Sequence, residues 1–189
     1  MPILGTIASS VKSGFGTGYA SIASTLLTSA QADVTFSSIT QAYRTLVIRS
    51  SVANTSGGAQ DLWLQINGDT GSNYSTVYLI SNGSSALTNQ ATPMTKASFS
   101  NGAGGVSAAN FTPSIITIAD YTKTDKYKTL SGIAGLASNN SNVNDYNAYT
   151  VGATGCSYVG TQNAITSIKV FSSGGNLATG SRISLYGIS

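Results

Sequence analysis

Six aspartates and one cysteine are the chain's whole stock of acidic and thiol groups, and neither glutamate nor histidine occurs. Without imidazole, Ser-His-Asp and Cys-His catalysis and every His-containing zinc site fall away. Asp61 and Asp69 bracket a polar corner, Asn67-Gly-Asp-Thr-Gly-Ser-Asn73, to which Asn67 and Asn73 add carbonyl oxygens. Calcium takes roughly six to eight such oxygens, but the EF-hand spacing and its closing Glu are missing. Asx residues capping their own turn account for the same composition, so neither a metal nor a cofactor is expected. Asp120 and Asp125 could act as general acid and base on a glycosidic bond. In a loop that also holds Lys123, Lys126 and Lys128, ion pairs that tie the turn are the better reading. No catalytic residue is expected, and the protein reads as a non-enzyme. Cys156 lies in the alternating run Gly155-Cys-Ser-Tyr158, where a buried thiol behaves as a small hydrophobe. Nothing near it in sequence would lower its pKa. Trp63, Tyr74, Tyr78, Tyr146, Tyr149 and Tyr158 have rings that could stack on sugars. Aromatic residues on strands more often fill a core or an inter-subunit contact.

These residues sit on short strands. Leu62, Leu64 and Ile66 alternate with Trp63 and Gln65, the period of a strand with one buried face. The run stops at the glycine and Asx residues of 67–73, which permit the corners of a tight loop, and a second alternating run follows from Tyr74 to Ile80. Further strands are expected at 21–28, 32–36, 43–52, 114–119, 127–134, 149–159, 165–171 and 181–188. In the third of these Leu46, Ile48 and Ser50 face one way, Val47 and Arg49 the other. Residues 82–111 show the weakest pattern and read as a long surface loop with one strand around 94–99. A continuous apolar strand, Ser114-Ile-Ile-Thr-Ile-Ala119, comes after it. About ten strands without a convincing helix in the body argue an all-β fold, a two-sheet antiparallel sandwich or barrel.

Residues 1–18 differ from this body. Ile3, Leu4, Ile7 and Val11 recur at nearly helical spacing, with Phe15 beyond them, and Gly14, Gly16 and Gly18 break any regular element. A signal peptide fits poorly, since there is no basic start and the apolar run is short and diluted. The run is also too short to span a membrane. Two readings stay open: a terminal segment folded back or frayed, or an apolar arm on a glycine hinge that docks into another subunit. The domain plan is therefore an arm over 1–18 and a single sandwich over 19–189.

Composition narrows the function. Charged residues make up only 8% of 189, and polarity is carried by Ser, Thr, Asn and Gly. Such a neutral surface suits packing against neighbours or binding glycans better than steering ions. Nine Lys+Arg against six Asp give a formal +3. With no arginine-rich face, nucleic-acid binding is not expected.

Several segments, in order, resemble a family of tailed-bacteriophage virion proteins labelled tail-fibre, head-fibre or decoration proteins. They are Ile3-Leu-Gly-Thr-Ile-Ala-Ser-Ser10, Val34-Thr-Phe-Ser-Ser-Ile39 leading to Tyr43-Arg-Thr-Leu-Val-Ile-Arg49, and Ile66-Asn-Gly-Asp-Thr-Gly-Ser-Asn-Tyr-Ser75. Later come Ile118-Ala-Asp-Tyr-Thr-Lys-Thr-Asp-Lys-Tyr-Lys-Thr129, Ala164-Ile-Thr-Ser-Ile168 and Ser181-Arg-Ile-Ser-Leu-Tyr-Gly-Ile188. Where the family has a proline after Ser-Ser-Ile, this chain has Thr40. The resemblance implies a jelly-roll-like β-sandwich displayed on a virion, assembled in the host cytoplasm, as a homotrimer. It brings no catalytic residues. The expected partners are other virion proteins, capsid or tail subunits, held through Ile3, Leu4, Ile7, Val11 and Phe15, with no membrane insertion. The alternative is a receptor-binding or lectin-like module that meets a host-surface glycan through Asn67, Asp69, Asn73, Tyr74 and Tyr146, on the 67–74, 82–111 and 139–147 loops.

Overall fold

The computed structural model describes residues 18–56, 60–81, 85–99, 111–137 and 149–189. The proposed arm residues Ile3 to Phe15, and Tyr146, lie outside them. Twelve strands are present among the described residues: β1 (Ala20–Leu26), β2 (Asp33–Phe36), β3 (Thr45–Val52), β4 (Leu62–Ile66), β5 (Tyr74–Ser81) and β6 (Ala86–Met94). The others are β7 (Ala97–Phe99), β8 (Thr112–Ala119), β9 (Lys128–Ala137), β10 (Tyr149–Tyr158), β11 (Ile168–Ser172) and β12 (Arg182–Ile188). All pairings are antiparallel.

The strands form a four-stranded sheet, β2-β11-β4-β7, facing an eight-stranded one, β1-β12-β3-β8-β9-β10-β5-β6. Four nested pairs, β1 with β12, β2 with β11, β3 with β8 and β4 with β7, wind the chain as a jelly roll. Two strand pairs are inserted into that winding. β5 and β6 fall between β4 and β7, and β9 and β10 fall between β8 and β11. Both join the same edge, beside β8, and so double the width of one sheet.

Period-2 patterning explains the layers. Leu62, Leu64 and Ile66 of β4, with Ile168 and Val170 of β11, meet Leu46, Ile48, Ile116, Ile118 and Leu130 of the large sheet in one core. Among the inward polar groups, Ser50 and Ser114 share a hydrogen bond of 2.5 Å. Val47 faces outward as its spacing requires, yet is buried between cross-strand neighbours Tyr186 and Thr117. Under the added strands, Phe99 of β7 fills the space that Gly132 leaves on β9.

β6 is the correction to the expected 82–111 loop. Its residues are open to solvent along almost its whole length, so no burial imposes alternation on them. It is an edge strand, where Pro93 costs no ladder bond. The expected 94–99 strand is β7, shortened to Ala97–Phe99.

Candidate functional site

The polar corner at 67–73 is a structural joint. Asn67 adopts a left-handed backbone, φ 52°, which Asn tolerates at a turn. Its Oδ1 accepts hydrogen bonds from the backbone N–H groups of Thr166 and Ser167, and its Nδ2 donates to the Ala164 carbonyl. The side chain therefore pins the segment before β11. Asp69 is the second hub. Its Oδ1 accepts from the Gly71 N–H at 2.7 Å, and its Oδ2 from Asn73 Nδ2 at 2.9 Å and Tyr158 hydroxyl at 2.8 Å. Burial pushes this carboxyl up, but the bonds from Asn73, Tyr158 and Gly71 outweigh it and hold the group below its ordinary value. Three donors thus meet the carboxylate.

Asp61 does not join that cluster. It precedes β4 while Asp69 follows it, and five extended residues separate the two ends of that strand by roughly 17 Å. Its Oδ2 accepts from Ser98 Oγ at 2.9 Å. Tyr74 is also misread as ligand-facing. It is 1% exposed, because the first residue of β5 points inward, where its ring lies 4.8 Å from that of Tyr158. Its hydroxyl donates to the Asp69 carbonyl and accepts from the Ile66 N–H. Burial drives its pKa upward.

The lysine-rich turn resolves as ion pairs. Asp120 takes Arg44 on one oxygen at 3.0 Å and Lys126 on the other at 3.4 Å. The Arg44 bond, helped by the Lys126 bond, outweighs the opposing desolvation and holds the Asp120 carboxyl below its ordinary value. A general acid needs the opposite shift. Lys128 is buried and its ammonium donates to the carbonyls of Lys123 and Lys126. Arg44 was not foreseen; it lies far from Asp120 in sequence and only the β3–β8 register brings them together.

The ring of Trp63 is already used. Lys96 Nζ sits 3.8 Å from its centroid, Phe171 packs edge-on at 5.6 Å, and Nε1–H donates to Ser98 Oγ. Cys156 is buried, hydrogen-bonded with Thr76 Oγ1, and desolvation raises its pKa. Among the described residues no group of three His, Cys or Asp side chains converges.

What sequence reasoning missed is the outer face of the large sheet. One cross-strand row reads Ser24, Ser184, Arg49, Ile115, Ile133, Ala153, Leu79, Thr88. Its polar end lies on the jelly-roll strands and its apolar part on β8, β9, β10 and β5. Ile133 is 64% exposed and Val151 63%; Val77, Leu79 and Ile115 are also open. Between them Gly155, Ala153 and Ser131 floor a hollow of about 570 Å³, continued beyond Ile133 by one of about 270 Å³ near Gly135 and Val151. No outward-facing described residue of β5, β6, β8, β9 or β10 carries a charge. The signal was the unbroken apolar run at 114–119. A two-layer fold buries only one face of a strand, so a strand apolar on both faces leaves one open.

No known protein-family description, no curated protein and no solved structure matches this chain.

Proposed function

We propose that the protein is a non-enzymatic bacteriophage virion component: a surface-displayed capsid-decoration, head-fibre or tail-fibre subunit, anchored by residues 1–18 and working as a homotrimer. A jelly roll by itself serves capsid proteins and lectins alike. The observation that carries the reading is the uncharged aliphatic face spread over Ile115, Ile133, Val151, Val77 and Leu79. Together these side chains expose on the order of 500 Å² of apolar surface, the upper end of what an isolated monomer tolerates. Sugar recognition calls for open aromatic rings, whereas Tyr74 is inside, Trp63 lies under Lys96, and the open rings of Tyr19 and Tyr127 do not line the hollow. Open aliphatic side chains suit another protein.

The test is to locate the chain on particles by immunogold electron microscopy, with full-length protein and a variant lacking residues 1–18. The first described strand begins at Ala20, so the deletion leaves every described strand whole. Full-length protein on the particle surface, lost from it on deletion, is the expected result. Absence of the full-length chain from particles overturns the reading, and wild-type occupancy of the variant overturns the arm.

A further inference from the structure

We infer that the outer face of β8, β9, β10 and β5 is the surface on which a second copy of this chain seats. Three observations name a second copy as the occupant. First, ridge and hollow lie on the same patch. Ile133 and Val151 stand highest, and the hollow beside them is floored by Gly155, Ala153 and Ser131. On the homotrimer reading above, the ridge of each copy enters the hollow of the next around the axis, so one patch must supply both, and this one does. Second, the patch carries no charge of its own. Two like faces meet without repulsion, and the core of a protein interface is depleted of charge in the same way. Third, the area fits. Four strands spaced about 4.8 Å apart, each contributing some six residues, form a face about 19 by 20 Å before side-chain relief is counted. That plan of about 380 Å², raised by side-chain relief to the order of 500 Å² of open apolar surface, supplies the apolar core of an interface of roughly 800 Å² per partner, with the flanking polar residues as its rim.

The inserted strands give this surface its place. Without β9, β10 and β5 the sheet would end at β8, and Ile115 would be a lone exposed isoleucine. The insertions turn one apolar position into a patch.

The purified full-length chain, followed by sedimentation velocity from 1 to 100 µM, tests this apart from any particle, so its outcome is distinguishable from the imaging result above. Wild-type protein is expected to sediment as an oligomer, and Ile133→Asp as a monomer, with association weakened roughly 100-fold or more by the desolvated charge. Val77→Asp, across the hollow, is expected to do the same. Leu26→Asp alters an exposed leucine away from this patch and should leave the oligomer intact. Unchanged circular dichroism and melting temperature in Ile133→Asp establish that the loss is of contact and not of fold. A monomeric wild type at 100 µM overturns the inference, as does an oligomer that survives both aspartate variants.

Discussion

The hydroxyl of Tyr158 donates a 2.8 Å hydrogen bond to Oδ2 of Asp69. The first residue ends β10, in the inserted part of the large sheet; the second lies just after β4, in the small one. One bond thus closes an end of the sandwich across its two layers. Tyr158→Phe and Asp69→Asn should each cost about 1–2 kcal/mol in urea denaturation, as loss of a charge-assisted bond does. The double variant should cost less than the sum by about 1 kcal/mol. Strict additivity would mean that the bond contributes nothing. Calcium or a chelator should leave the wild-type melting temperature unmoved, since three donors already occupy the carboxylate.

The same carboxylate sets the acid limit. Asp69 and Asp120 are both held below 3.8 in the fold, so their contribution is complete above that value and lost as pH falls through the folded values. The melting temperature should be flat from about pH 7 to 5 and drop below about pH 4. Asp69→Asn should shrink the drop. Tyr74 shifts the other way, above its ordinary 10.0. Its contribution is complete below pH 10.0 and is lost as pH rises above it. An equally steep acid drop in Asp69→Asn would remove Asp69 from this account.

Asn67 combines a left-handed backbone with bonds to the 164–167 segment. Asn67→Ala should lose both, at about 2–3 kcal/mol. Asn67→Gly keeps the backbone and loses only the bonds, so it should recover about 1 kcal/mol of that. Equal melting temperatures for the two variants would show that backbone strain plays no part.

The jelly-roll strands were legible because each buries one face: Leu62, Leu64 and Ile66 alternate since water lies on one side and core on the other. β6 was hidden because neither of its faces is covered, so nothing selects a pattern. Tyr74 was misplaced because a residue at the border of a polar loop and a strand belongs to whichever the sheet claims, and here the inward parity of β5 claims it. The apolar face was legible in part. Ile115 and Ile116 adjoin in sequence, but that Ile115 aligns with Ile133 depends on the pairing of β8 with β9, a long-range fact that local spacing does not contain.

That register has its own test in two glycines of β9. A Cβ on Gly132 would lie 2.7 Å from Phe99 Cδ1, inside the core, whereas one on Gly135 meets nothing within 4 Å. Phe99 is buried, 2% exposed. Gly132→Ala should therefore cost about 1–3 kcal/mol by overpacking. Gly135→Ala should be neutral or stabilise by about 0.5–1 kcal/mol, because alanine loses less backbone entropy in a strand. Chemical denaturation of the two variants measures the difference. Positions 132 and 135 differ by an odd number and so lie on opposite faces of the sheet. A one-residue slip of β9 would exchange those faces, turning Ile133 inward and removing the ridge on which self-association rests. Reversal of the two stability changes would reveal that slip before any association was measured.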